Sequence, residues 1–141
     1  MKELRIEARI GNVHIVTDFV NEVLEAMDCP MKAQLQIDMA IDELFSNIAN
    51  YAYPDAGGEA VVCVEEGAGP RSAIVTFMDW GIPYDPLSRP DPDITLSAEE
   101  RETGGLGIFL VKKTMDEVRY DRKDGMNILQ IRKNLPEKEL L

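Results

Sequence analysis

The sequence predicts an α+β fold, a two-layer sandwich with one mixed, mostly antiparallel sheet and helices packed on one face. Three observations predict it. Two long stretches in the first half carry apolar residues at helical spacing, and a third follows near residue 105. Short runs of alternating or continuous apolar character stand before, between and after them. Turn signals rich in Gly, Pro and Asp join neighbouring strands directly, where a parallel sheet would need helical crossovers.

Each element has its own local reason. Leu4, Ile6, Ala8 and Ile10 alternate with charged residues, as a half-buried strand does, until Gly11-Asn12 breaks the run. Val16, Phe19, Val20, Val23, Leu24 and Met27 then recur at helical spacing, predicting an amphipathic helix over 13–27. Asp28-Cys29-Pro30 ends it, and a second helix is expected over 32–52. Pro54-Asp55-Ala56-Gly57-Gly58 is a loop. Strands over 60–65 and 72–79 flank a hairpin turn containing Gly67, Gly69 and Pro70. The stretch 81–105 carries four prolines and reads as a long loop, the length of a functional lid or a disordered segment. Inside it, Ser97 and Glu100 match a capping box for a brief helical turn. A helix over 105–115 follows, then strands over 117–122 and 126–133 around Lys123-Asp124-Gly125.

The chain has 141 residues, which fits one domain over 1–141 with a sizeable core, no internal repeat and no second domain. A net charge of −11 disfavours nucleic acid and anionic membrane surfaces as partners, since both call for clustered Lys and Arg. No apolar run reaches the ~20 residues of a membrane span, and the N-terminus reads as a strand, not a signal peptide. Cys29 and Cys63 form no metal or disulfide pattern and are expected as reduced thiols in an intracellular, cytoplasmic setting. The one histidine, His14, falls at a helix start and reads as structural; no nucleophile-elbow motif accompanies it.

Three stretches carry chemistry. In the second helix, Glu43, Asn47 and Asn50 stand at i, i+4 and i+7, within roughly 60° of one another. Ile37, Ile41, Leu44, Phe45, Ile48 and Ala52 form the adjoining apolar stripe, so the polar trio borders the core. A carboxylate and two carboxamides there suggest a binding site, with a solvated polar face as the alternative. Asp79-Trp80-Gly81-Ile82-Pro83 closes an apolar strand; its carboxylate can accept a hydrogen bond from a ligand amine, with Gly81 admitting a flat ring, or it can simply make a turn. Gly104-Gly105-Leu106-Gly107 leads into a helix, where bare amides and the helix dipole favour an anion such as phosphate; the same glycines also suit a lid hinge.

Together these motifs resemble the Bergerat-type ATP-binding fold shared by gyrase B, MutL and histidine kinases, and most of all its small bacterial branch, the anti-sigma-factor serine/threonine kinases. The resemblance spans nearly the whole chain and rests on Glu43-Leu44-Phe45-Ser46-Asn47, on Asp79 to Pro86, and on the run from Gly104 through Asp116-Glu117-Val118. It implies Glu43 as general base, Asn47 as the Mg²⁺ ligand, and Asp79 and Gly81 at the adenine. It places Gly104, Gly105, Leu106 and Gly107 at the phosphates under a lid of about 82–104, and Asn50 near the ribose or phosphates. Pro83 stands where the wider superfamily has a second glycine, as is usual in the small branch. Arg101 is the nearest candidate for the arginine that meets the terminal phosphate. Where the superfamily places a threonine in the last strand, this chain has Met126-Asn127.

The function so implied is an ATP- and Mg²⁺-dependent protein serine/threonine kinase. It would phosphorylate an anti-anti-sigma (antagonist) partner, could sequester a sigma factor, and would act as a homodimer. The alternatives are a non-catalytic, nucleotide-gated protein-binding module of the same kind of pathway, and an interaction domain that has lost its nucleotide.

Overall fold

The computed structural model describes residues 1–88 and 106–137. In chain order these form β1 (Lys2–Glu7), α1 (Val13–Ala26), α2 (Met31–Asn47), β2 (Glu59–Gly67), β3 (Ser72–Asp79), α3 (Leu106–Thr114), β4 (Glu117–Lys123) and β5 (Met126–Asn134). A single 3-10 turn, Ile10–Asn12, precedes α1, and a π-helical turn, Ile48–Ala52, continues α2. The strands form one sheet in the order β1-β2-β3-β5-β4. All four pairings are antiparallel, so among the described residues the parallel component of the expected mixed sheet is not found.

The core lies on one face of this sheet. Val62 and Val64, Val75 and Phe77, and Leu129 and Ile131 point to it with the two-residue period of their strands. Against them pack Val16, Val20 and Leu24 of α1, Ile37, Ile41, Leu44 and Phe45 of α2, and Ile108 and Val111 of α3. Each such side chain contributes roughly 1.5–3 kcal/mol on full burial. The expected stripe of α2 is therefore the inner face of the central helix.

The hairpins follow local chemistry. β4 and β5 join through Asp124-Gly125, with φ of 54° and 76°; two consecutive left-handed residues are what a tight twisted hairpin needs, and Gly125 adopts its φ without a Cβ penalty. Arg71, at the start of β3, is buried and knits the lower end of the sandwich. Its guanidinium donates to the Met27 carbonyl past the end of α1, to the Pro136 carbonyl at 2.9 Å, and to Glu66 at 2.8 Å.

The boundaries differ from expectation in two places. β1 stops at Glu7 and Ile10 is exposed, because Ala8 donates to the Gly58 carbonyl and the chain turns into the 3-10 segment. The second helix is α-helical only to Asn47, after which it widens to the π turn. The predicted turn at Ser97–Glu100 and all but residues 82–88 of the expected lid lie outside the described residues.

Candidate functional site

Glu43 and Asn47 stand one turn apart near the end of α2, and Asn47 Nδ2 donates to Glu43 Oε1 at 3.4 Å. The first turn of α3 closes on this pair. A Cβ placed on Gly107 would lie 2.2 Å from both the carboxyl carbon and Oε2 of Glu43, so only glycine permits this approach. On the outer side, Glu43 opens into a groove of about 380 Å³ lined by Asp38, Met39, Asp42, Gly107, Leu110 and Thr114. Burial raises the Asp38 carboxyl above its ordinary range, and a side-chain hydrogen bond from Asn21 offsets part of that rise.

Asp79 ends β3 on the same face of the sheet as the core and is buried. Its Oδ1 accepts the Gly81 N–H at 2.9 Å and Asn127 Nδ2 at 2.9 Å. Asn127 lies directly across the ladder from Asp79, also buried, and donates its second amide proton to the Ile82 carbonyl at 2.8 Å. The Tyr120 hydroxyl donates to Asn127 Oδ1 at 2.5 Å.

The turn after Asp79 is held from two further directions. Ile82 N–H donates to the Ala52 carbonyl at 2.9 Å, and Arg122 donates to the Gly81 carbonyl at 2.8 Å. Gly81 is required by backbone contact: a Cβ there would sit 2.2 Å from the Ala52 carbonyl oxygen. Tyr53 completes the knot, its hydroxyl donating to the Glu59 carbonyl at 2.6 Å and accepting from Trp80 N–H at 2.8 Å. Burial pushes the Tyr53 phenol up, and the Trp80 N–H offsets part of that.

Asp79 and Asn47 line one cavity, together with Leu44, Tyr84, Tyr120 and Asn127. Its volume is about 20 Å³, room for roughly one water. Tyr84 borders it and stacks on Tyr51 with ring centroids 5.6 Å apart. Asn47 thus separates two openings: the cavity at Asp79 and the groove at Glu43.

The structure brings together Glu43, Asn47, Asp79, Gly81 and Gly107. Asn50 is left out: it is exposed and lines neither opening, because the π turn rotates it away from the phase an α-helix would have given it. Pro83 is exposed on the outer surface of the turn, beside Trp80 and Arg122, and Leu106 is exposed in the first turn of α3. Arg101, Gly104 and Gly105 lie outside the described residues. Sequence reasoning named Asn127 only as standing in place of the superfamily's threonine and did not single out Tyr120, yet both line the cavity at Asp79. The available signal was phase: Asn127 alternates with Leu129 and Ile131, which places a carboxamide in a core-facing row.

Among the described residues no cluster of three or more His, Cys, Asp or Glu could hold a metal by itself. The donor set instead fits a cation bound mainly by phosphate and water, to which a protein adds one oxygen. Asn47 satisfies that condition, since its Nδ2 is turned to Glu43 and its Oδ1 accepts no hydrogen bond from the described residues. Cys29 and Cys63 are free, with both thiols pushed up by burial, and neither lines the two openings. No helix among the described residues is long and apolar enough to cross a membrane.

Comparison with known proteins places this geometry. The histidine kinase-like ATPase domain family matches residues 6–133. The chain is 26% identical over 131 residues to the serine-protein kinase RsbW of Bacillus cereus, covering 90% of this chain and 81% of that protein. It is 26% identical over 100 residues to the serine/threonine-protein kinase BtrW of Bordetella bronchiseptica, covering 71% and 70%. The anti-sigma F factor of Clostridium acetobutylicum is 22% identical over 125 residues, covering 87% and 85%. Among solved structures, the RsbU and RsbW domains of a Mycobacterium tuberculosis protein superpose with a TM-score of 0.61 at 16% identity, over all of this chain and 35% of that one. A histidine kinase domain from a blue-light activated kinase of Erythrobacter litoralis gives 0.50 at 22%, over 75% of this chain and 46% of that one. This chain thus spans about a third and just under half of the two solved chains, and that likeness is one of fold. With the family match running from β1 into β5 and across Glu43, Asn47, Asp79 and Gly107, the chain belongs to the histidine kinase-like ATPase domain family, in the branch of the anti-sigma-factor serine/threonine kinases.

Proposed function

We infer that this chain binds Mg-ATP and transfers its terminal phosphoryl group to a serine or threonine of an anti-anti-sigma (antagonist) protein, and that it sequesters a sigma factor in the same pathway. The observation that carries the reading is the contact of Glu43 with both Asn47 and Gly107, because it sets a carboxylate between a phosphate-side helix start and an open groove. Asp79 accepts the adenine amine. The α3 start, with Gly105 and Gly107, offers amides to the phosphates, and Arg101 meets the terminal one. Asn47 Oδ1 holds Mg²⁺, which when bound neutralises charge on the phosphate oxygens. Glu43 accepts the proton of the attacking hydroxyl.

A protein acceptor is supported by the outer face of α2. Met31, Leu35 and Met39 recur every four residues and are 67%, 54% and 61% exposed, and the same ridge continues to Glu43. Large apolar side chains so exposed beside a site are a docking feature more than a solvent-facing one. In this reading residues 1–141 form one ATP-binding unit that works as a homodimer in the cytoplasm, and its net charge of −11 leaves nucleic acid and membranes outside its partners.

One observation favours a second reading, the nucleotide-gated module without turnover. The cavity at Asp79 has room for about one water, so base entry must move Tyr84, and nucleotide would then control a surface that a partner can sense. Glu43→Ala separates the two. Loss of phosphoryl transfer to the antagonist protein, with Mg-ATP binding retained, supports the kinase; transfer at the wild-type rate removes Glu43 as base. Intact, ATP-dependent partner binding by a wild type that shows no transfer supports the module.

A further inference from the structure

The polar floor of the Asp79 cavity has an unusual property when its hydrogen bonds are counted donor by donor. A carboxamide has two N–H donors and one oxygen. Asn127 uses both donors inside the protein, one on Asp79 Oδ1 at 2.9 Å and one on the Ile82 carbonyl at 2.8 Å. Both partners can only accept, so the amide cannot be turned round without losing two bonds. Its oxygen in turn accepts the one proton of the Tyr120 hydroxyl. Asp79 Oδ1 is filled by two donors, Asn127 Nδ2 and the Gly81 N–H. What remains for a ligand is Asp79 Oδ2 and one lone pair on Asn127 Oδ1, both acceptors.

We propose that Asn127, held by Tyr120, is a positioning residue that fixes the Asp79 carboxylate and makes this floor acceptor-only, so that the pocket selects a base by its exocyclic amino group. The residues that do this come from three strands and share one face. Asp79 and Asn127 are direct partners across β3 and β5, and Tyr120 stands diagonally from Asn127 on β4, two residues before its own partner Arg122. Both Asp79 and Asn127 are buried, at 4% and 5% exposure, where an unpaired polar atom is costly and a chain of satisfied ones is rigid. A base that offers only acceptors along this edge meets acceptors and leaves Asp79 Oδ2 unpaired. Among Asp79, Asn127 and Tyr120, a ring nitrogen beside the amine finds no free donor. The selectivity therefore rests on one donor, the amine, and on a carboxylate that cannot swing.

The inference rests on the nucleotide-binding reading, and the experiment separates the two. Mg-ATP and the triphosphate of purine riboside, which has hydrogen in place of the 6-amino group, are titrated into wild type, Asn127→Leu and Tyr120→Phe, with circular dichroism melts as a check of folding. The wild type is expected to prefer ATP about 100-fold, the cost of one buried acceptor left unpaired. In Asn127→Leu that preference falls about tenfold, since a swinging carboxylate gives the amine a poorer bond, and in Tyr120→Phe about threefold. A merely structural role weakens both nucleotides equally and leaves their ratio unchanged; that result overturns the inference while sparing the proposed function. If Asn127→Leu does not fold, the ratio in Tyr120→Phe decides, because only a hydroxyl has been removed. A wild type that binds neither nucleotide overturns the nucleotide-binding reading and this inference with it.

Discussion

Gly107→Ala sets helix propensity against catalysis. Gly107 is the second residue of α3, where alanine gains less over glycine than the roughly 0.5–1 kcal/mol of a helix interior, so on local grounds the variant is about as stable as wild type. The new Cβ, however, would lie 2.2 Å from the carboxyl carbon and Oε2 of Glu43 and 2.6 Å from Oε1. The α3 backbone is held by the core through Ile108 and Val111, whereas Glu43 is a flexible, half-buried side chain, so the carboxylate is the part that moves. Restoring ordinary contact displaces it by about 1.2 Å, and a misplacement of ~1 Å in a reacting group costs on the order of 100-fold in rate. The assay is a radiolabelled phosphoryl-transfer time course beside calorimetric titration of Mg-ATP and a thermal melt. The expected result is a rate down about 100-fold, ATP affinity within about threefold of wild type, and an unfolding midpoint unchanged or raised. Transfer at the wild-type rate would refute the steric argument. Loss of ATP binding in step with the rate would refute it differently, by showing that the substitution acts on the phosphates and not through Glu43.

Three further perturbations test other parts of the structure. Gly81→Ala drives a Cβ to 2.2 Å from the Ala52 backbone oxygen, which cannot yield as a side chain can; a loss of about 2–3 kcal/mol is expected, read in denaturant melts, and a loss under about 0.5 kcal/mol would show that the turn relaxes freely. Asp38 has a folded-state pKa above its unfolded value, so its charge opposes folding above the folded pKa, and that penalty fades as pH falls toward 3.8. Asp38→Asn should accordingly raise the unfolding midpoint at neutral pH, with no gain left below pH 3.8; an equal gain at every pH would rule titration out. Tyr84→Ala removes a ring stacked on Tyr51 at the mouth of the Asp79 cavity; as such a pair is worth about 0.5–1.5 kcal/mol, stopped-flow association of a fluorescent ATP analogue should quicken about three- to tenfold, and an unchanged rate would take Tyr84 out of the entry path.

What was legible in the sequence was what repeats locally. The stripe Ile37, Ile41, Leu44, Phe45, Ile48 and Ala52 is buried as its spacing predicts, because a helix against a sheet hides one face whatever the sheet is made of. The closeness of Glu43 and Asn47 came from the same period. Asn50 did not conform, because a π turn changes the rotation per residue and leaves no compositional mark in Ile-Ala-Asn-Tyr-Ala. The reason for Gly81 was equally hidden: no left-handed φ requires it, and the constraint is the carbonyl of Ala52, which precedes β2 in the chain. The bond from Asn127 to Asp79 depends on how β5 registers on β3, which no window around either residue specifies. Phase alone could say that Asn127 faces inward, not what it would meet there.

The π turn has a consequence for chain length. It amounts to one residue more than an α-helix would use to reach the same point, and that extra residue aims the chain leaving the turn. Ala52 presents its carbonyl to Ile82, and Tyr53 presents its hydroxyl to Trp80. Rewinding the segment as α-helix at its present length would turn both groups by about 100° relative to Glu43, whereas deleting one residue between 48 and 52 would restore their phase without the π turn. At this chain length the π turn is therefore what aims Ala52 and Tyr53, whereas the exposed loop beyond it at Asp55, Ala56 and Gly57 can gain or lose a residue without disturbing that alignment.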